Sequence, residues 1–239
     1  MDFSIVIPAF REASKIGRDV EAAGAFLAKA GITGQIIVVD DGSPDDTAAQ
    51  AGCARIPPQV HREVIRYEQN RGKGYAIRTG MRQTRGDYVM FADTGLCIAF
   101  DYALRGLELL KAGQCELAHG TRKARGSIIR AAQPLHRRVG SRVFRLLMSL
   151  MGVPGRITDT QCGFKMYVGD VARELYAECV TDGFMFDAEI ILRASRKGYR
   201  IREFPVQWYH DRDSRLRPFR TAFRILLELW RIRAALAKA

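Results

Sequence analysis

Asp87-Tyr-Val-Met-Phe-Ala-Asp93-Thr-Gly-Leu-Cys97 is the stretch on which the reading of the fold turns. Tyr88 to Phe91 is an apolar run bounded by a Gly-Asp pair, which predicts a buried strand. It ends in a carboxylate, Asp93, and a small turn follows. In open α/β sheets, ligands bind in the crevice beyond the carboxyl ends of the parallel strands, so Asp93 stands at a candidate binding position.

Working outward from that strand, the same pattern recurs on its N-terminal side. Phe3 to Pro8 and Gly34 to Asp40 read as two more buried strands, and Val64 to Tyr67 as a short third. Between them, Glu12 to Leu27 has helical spacing through Ile16, Val20, Ala23 and Leu27. Ser43-Pro-Asp-Asp46 has helix-start chemistry, with Ser43 as the cap and Pro44 at the first position. Asn70-Arg-Gly-Lys-Gly74 leads into a helix over Tyr75 to Gln83. Strands alternating with helices across short loops predict a doubly wound, mostly parallel sheet.

On the C-terminal side, Asp101 to Ala112 predicts a helix and Glu116 to Gly120 a strand with Thr121-Arg122 at its end. A basic loop follows, then an amphipathic helix over Pro134 to Met151 that carries Arg137, Arg138, Arg142 and Arg145. Asp182 to Glu189 leads into a helix reaching about Lys197, and Tyr199 to Trp208 is the last strand. Phe219 to Ala237 is helical, with an arginine stripe and a Phe219-Phe223-Leu226-Trp230 stripe.

Composition narrows the class. The chain has 239 residues, 47% of them hydrophobic, which suffices for a large core without staples. Five cysteines and no Cys-x-x-Cys pair argue for a reducing compartment and against a zinc site. Met1-Asp-Phe-Ser enters a strand directly, so no signal peptide is expected, and no apolar run has the length of a membrane span. The net charge is +12, and its excess lies in two segments. Residues 117–158 carry 9 basic and no acidic residues, and residues 211–239 carry 8 basic and 3 acidic. Such an excess attracts phosphorylated substrates, anionic membranes or nucleic acid.

Asp40, Asp41 and Asp93 lie at the ends of two strands expected to be neighbours. Acids so placed can hold a ribose, a base, or a divalent ion bridging phosphates, and Asp40-Asp41 equally suits a turn and helix cap. The Arg-Gly-Lys-Gly loop lacks the P-loop spacing and reads first as a glycine turn before a helix.

Val6-Ile-Pro-Ala-Phe-Arg-Glu12, Val38-Val-Asp-Asp-Gly-Ser43, Asn70-Arg-Gly-Lys-Gly-Tyr-Ala76 and Tyr88 to Leu96 follow in the order of a family 2 glycosyltransferase. Gln133-Pro, Asp159-Thr-Gln-Cys-Gly-Phe-Lys165, Asp182 to Glu189, and Val206-Gln-Trp-Tyr-His-Asp-Arg-Asp-Ser-Arg215 resemble its dolichyl-phosphate β-glucosyltransferase branch, whose acceptors are polyprenyl phosphates. The resemblance covers nearly the whole chain and implies the GT-A fold. Residues 1–210 would form the catalytic domain, with 1–116 the nucleotide-binding half and 117–210 the acceptor half. Residues 211–239 would supply a loop that closes the active site and an amphipathic helix.

The resemblance also implies roles. Pro8, Phe10 and Glu12 would line the nucleoside pocket, with Asp40 near the base or ribose; Asp41, Lys73 and Ala92 would border the donor. Arg122 and Arg137 would face phosphates, Lys165 and Glu189 would lie beside the sugar or acceptor, and Arg215 would close over the diphosphate. Asp93 would ligate Mg²⁺ or Mn²⁺. Where the family has Asp-x-Asp, this chain has Asp93-Thr94-Gly95, so Asp93 is the one side-chain ligand expected from this strand, with a metal-light route through arginines as the alternative. The expected activity is inverting transfer of a sugar, glucose favoured, from UDP-glucose, or from GDP-mannose, to a polyprenyl or dolichyl phosphate. It would take place peripherally on the cytoplasmic face of a membrane. A sugar or protein hydroxyl is the alternative acceptor. A nucleic-acid-binding module is the distant alternative, disfavoured because it gives no reason for the strand-end acids.

Overall fold

The computed structural model of the chain describes residues 1–124, 126–129, 147–209 and 218–238. Strands β1 (Phe3–Ala9), β2 (Gly34–Asp40), β3 (His61–Arg66), β4 (Tyr88–Ala92), β5 (Leu117–Thr121), β7 (Phe164–Val168) and β8 (Ile201–Pro205) form one sheet in the order β3-β2-β1-β4-β7-β5-β8. All neighbours are parallel except β7, which runs against both β4 and β5. A small parallel ribbon pairs β6 (Ile128–Ile129) with β9 (Gln207–Trp208).

The helices are α1 (Ile16–Lys29), α2 (Thr47–Cys53), α3 (Lys73–Met81), α4 (Ala103–Lys111), α5 (Gly169–Glu178), α6 (Phe186–Arg196) and α7 (Pro218–Lys238). The inner strands β1, β2, β4, β5 and β7 are buried on both faces, so their apolar runs split by parity into two cores. Ile5, Ile7, Ile36, Val38 and Met90 pack with α1 and α4; Val6, Ile37, Val39, Val89 and Phe91 pack with α3, α5, α6 and α7.

Four expectations change. β2 and β4 are not neighbours: β1 lies between them and pairs with both. The chain runs outward through β2 and β3, then returns to the far side of β1, so β1 and β4 flank the point where strand order reverses. Ser43 does not cap α2, which starts at Thr47; its amide bonds Asp40 and its hydroxyl accepts the Arg11 N–H instead. β7 and α5 are additions to the sequence reading. The last strand breaks at Val206 and joins two sheets. The expected helix over Pro134–Met151 lies outside the described residues apart from a helical turn at 147–150.

α7 packs on the protein's own core through Leu229, Ile232 and Leu236, all buried. At about 1.5–3 kcal/mol for each fully buried aliphatic side chain, this face holds the helix down without help from a membrane. Among the described residues no helix is long and apolar enough to cross a bilayer.

Candidate active site

The C-terminal ends of β1 and β2 form one wall of the crevice, with Pro8 opposite Val39 and Ala9 opposite Asp40. Phe10 follows β1, and the next residue, Arg11, takes the left-handed conformation at φ 57°. Arg11 and Glu12 donate their amides to Ser43 Oγ and Thr47 Oγ1, at 2.8 and 2.9 Å, which ties this turn to the loop after β2. Asp40 is fully buried. Its Oδ1 accepts the Ser43 amide, while Oδ2 has no hydrogen-bond partner among the described residues and lies 3.6 Å from Arg66 Nε.

Asp41 is held by the loop that precedes α3. Its carboxylate accepts from Tyr67 Oη at 2.6 Å, Asn70 Nδ2 at 2.7 Å, and the amides of Arg71 and Gly72 at 2.8 and 2.9 Å. Four donors from one loop occupy both oxygens, so Asp41 shapes that loop.

The loop so shaped delivers Lys73. A Cβ on Gly72 would lie 2.5 Å from the Asp182 carbonyl, and one on Gly74 2.5 Å from the Thr181 carbonyl, so only glycine lets the loop seat against residues 181–183. Lys73, the first residue of α3, then reaches across to Asp93 Oδ1 at 2.6 Å. The contact is an ion pair rather than a well-directed hydrogen bond. Burial works against the Lys73 charge, but Asp93, with Asp187 behind it, raises its pKa above the usual lysine value. Asp93 follows Ala92, the buried last residue of β4, and its amide bonds the Gly163 carbonyl at 2.9 Å. A Cβ on Gly163 would come within 1.9 Å of Asp93 Oδ2. Gly163→Ala is therefore expected to turn the Asp93 carboxylate away from Lys73. Transfer rate should fall severalfold while unfolding free energy changes by less than about 1 kcal/mol, as surface-facing adjustments usually do. Parallel kinetic and denaturant measurements on the variant check this.

Because β7 is antiparallel, its first residues meet the last of β4: Phe91 pairs with Lys165 and Ala92 with Phe164. Lys165 is buried, with Nζ 2.7 Å from Asp187 Oδ1 and donating to the carbonyls of Thr160 and Cys162. Burial pushes the Asp187 carboxyl up, against the pull of Lys165 and Lys73. Asp187 thus joins the cluster through Lys165. Glu189, expected beside the sugar, is engaged elsewhere. It is fully buried and accepts from the Val180 and Thr181 amides, the Thr181 hydroxyl and Arg193 Nε.

On the far side, Arg122 leaves β5 and grips Asp159 with Nε and Nη2, at 2.7 and 2.8 Å, while its own amide donates to the same carboxylate. The Trp208 ring lies 5.6 Å from the guanidinium carbon. Burial opposes ionisation of Asp159, yet the Arg122 guanidinium holds it down to about 2. The folded pKa is below the ordinary carboxylate value, so the stabilisation is complete above about pH 4 and is lost as pH falls toward 2. It amounts to about 2 kcal/mol. Urea unfolding between pH 5 and pH 2.5 is expected to show this slope, and Arg122→Met to flatten it.

Gly95, at the position of the second acid, has φ 93° and donates its amide to Asp19 Oδ2 at 2.6 Å. Asp19 is buried in α1, and that burial raises its pKa. Among the described residues no three His, Cys, Asp or Glu side chains converge as a metal cage. One carboxylate, partly exposed and shared with an ammonium, does not fit a resident metal. It fits an ion that arrives with a diphosphate and takes its other ligands from phosphate and water. Arg137 and Arg215 lie outside the described residues.

The crevice therefore gathers three cation–carboxylate pairs, Lys73–Asp93, Lys165–Asp187 and Arg122–Asp159, at the switch point of an α/β sheet. The family model for glycosyl transferase family 2 matches residues 4–175, which takes in β1 through most of α5. The chain belongs to glycosyltransferase family 2. Among similar proteins, this family 2 glycosyltransferase is 30% identical over 234 residues to dolichyl-phosphate beta-glucosyltransferase of Saccharomyces cerevisiae, covering 89% of this chain and 68% of that one. It is 31% identical over 228 residues to the Homo sapiens protein of the same name, covering 90% and 70%. Glucosyl-3-phosphoglycerate synthase from Mycobacterium tuberculosis, solved with Mn²⁺, UDP and glucosyl-3-phosphoglycerate, superposes with a TM-score of 0.69. That match has 20% identity and covers 99% of this chain and 79% of the other, which establishes the shared GT-A fold. The enzyme is thus a glycosyltransferase resembling the dolichyl-phosphate glucosyltransferases.

Proposed function

We propose that the enzyme transfers glucose from UDP-glucose to a polyprenyl phosphate, inverting the anomeric carbon. The observation that carries this reading is that the three carboxylates gathered beside Lys73, Lys165 and Arg122 are each already paired with a cation. Asp93 is held by Lys73, Asp187 by Lys165 and Asp159 by Arg122. An alcohol acceptor needs a base to take its proton. A phosphate oxygen is an anion near neutral pH and needs none.

In this reading the nucleoside lies along Pro8, Phe10 and Glu12, and Asp40 Oδ2, which makes no hydrogen bond among the described residues and faces Arg66 at 3.6 Å, accepts from a ring N–H of the base. Lys73 and Arg122 lie on either side of the diphosphate. The acceptor oxygen attacks the anomeric carbon in line, the bond to the diphosphate breaks, and UDP leaves with the electron pair. Lys73 meets the charge that develops on the leaving group. A divalent ion, when bound, would be held by Asp93 and would neutralise the same charge. Lys165 fixes Asp187 and the carbonyls of residues 160 and 162, which keeps the acceptor side rigid. Arg137 and Arg215 remain candidates for further phosphate contacts.

The names of the similar proteins support the lipid-phosphate acceptor, and the basic segments support a membrane-surface location on the cytoplasmic side. The test is transfer of labelled sugar from UDP-glucose and from GDP-mannose to a polyprenyl phosphate, with and without Mg²⁺. The expected product is a glycosyl phosphate cleaved by mild acid. An acid-stable product would shift the reading to a hydroxyl acceptor. No lipid-linked product from either donor would overturn it.

A further inference from the structure

We infer that the outward face of α7, with Leu150 beside it, is a surface that seats the enzyme on an anionic bilayer. The inference deepens the lipid-acceptor reading above and rests in part on it. α7 has two faces. Leu229, Ile232 and Leu236 pack on the core, while Leu227, Trp230 and Arg231 lie on the opposite side at helical spacing. Leu227 is 44% exposed and Trp230 69%, large values for apolar side chains on a helix that already has a core-facing stripe.

Charge selects the occupant. Between Pro218 and Lys238 the only carboxylate is Glu228, and it is turned inward to accept the Met185 amide at 3.1 Å. The outward face is left with Arg231 and the exposed Arg233. Arg233 donates to the Leu150 carbonyl at 3.1 Å. Leu150, itself 64% exposed, belongs to the 117–158 segment that has no acid. The two basic segments read from the sequence thus meet at this edge, around exposed Leu and Trp side chains. An apolar stripe set among arginines matches a membrane interface rich in anionic headgroups. A protein partner would be expected to meet some acidic complement on this face.

The seat is also tied to the active site. Glu228 caps the turn at 183–185, and the backbone of 181–183 is the wall on which the Gly72-Lys73-Gly74 loop rests. Phe184, in that same turn, is 45% exposed. A bilayer touching α7 would therefore bear on the same 181–185 segment that seats the Lys73 loop.

The experiment is co-sedimentation of the whole chain with vesicles of phosphatidylcholine alone and of phosphatidylcholine mixed with phosphatidylglycerol, with no donor or acceptor present. The expected result is binding to the anionic vesicles only, weakened about tenfold by Leu227→Ser with Trp230→Ser, and by Arg231→Glu. Brominated lipids should quench Trp230 fluorescence. Transfer to a short-chain polyprenyl phosphate in detergent should stay within about twofold of the parent for both variants. Unchanged vesicle binding by both variants would overturn the inference. So would a dimer in sedimentation velocity that the variants dissociate, because the face would then join two copies of the chain. Vesicle binding without any transfer would sink the transferase reading alone, and transfer without vesicle binding would sink only this one.

Discussion

Lys73→Met is expected to lower kcat/KM for sugar transfer by about 10²- to 10³-fold, the scale of losing one preorganised donor to a developing anion. The melting temperature should move by a few degrees at most, since the Asp93 left behind keeps partial exposure to solvent. The reason lies in the geometry. Gly72 and Gly74 let the loop sit against the 181–183 backbone, and the only charged group the loop then presents at Asp93 is the Lys73 ammonium. The variant also frees Asp93 Oδ1, so whatever activity remains should depend more steeply on Mg²⁺ than the parent's does. Steady-state kinetics across a Mg²⁺ series would measure both effects. A variant within tenfold of the parent would remove Lys73 from the diphosphate.

Glu189→Ala is expected to cost about 3–5 kcal/mol of unfolding free energy, the usual penalty for leaving half of a buried ion pair behind. Arg193 would keep only the half-exposed Glu178, at 3.2 Å, and the amides of Val180 and Thr181 would lose their acceptor in the core. Urea denaturation reads the loss directly. Transfer activity should fall with it, because the Thr181 carbonyl is part of the wall that seats Lys73's loop. A variant with parental stability and a selective loss of kcat would instead put Glu189 at the substrate.

These two residues also mark how far the sequence could be read. The α/β class, the parallel strands β1, β2 and β4 and the position of Asp93 followed from apolar runs ending in acids, a local pattern. Strand order did not, because spacing along the chain says nothing of the return past β1 that separates β2 from β4. β7 was missed because Phe-Lys-Met-Tyr-Val carries a lysine in mid-run. That lysine is buried only because Asp187 and two carbonyls meet it there. The motif Asp187-Ala-Glu189 was noticed, yet which acid joins the cluster depends on helix phase. Asp187 points to Lys165, and Glu189, two residues on, turns back to Val180 and Thr181. Asp41 and Asp159 show the same limit. Their partners lie 26–31 and 37 residues away, so the sequence offers the acid but not the donor that claims it. Asp19 could have been found as a lone acid on the apolar side of α1, next to Val20 and Ala23.

One strand running the other way has a consequence for how such an enzyme can diversify. Parallel strands bring their ends to the crevice, so changes in the loops that leave them alter the nucleoside side. β7 brings its beginning, so the side proposed to meet the acceptor is fed by the loop that arrives, residues 153–163. The pairing of Phe91 with Lys165 fixes the strand, and the arriving loop is tied to the site by the Gly163 carbonyl on the Asp93 amide, the Thr160 and Cys162 carbonyls on Lys165, and Asp159 on Arg122. In the proposed reaction, donor and acceptor are thereby met by separate stretches of chain. On that reading a change of acceptor would come through substitutions within residues 153–163, with the nucleotide half left as it is.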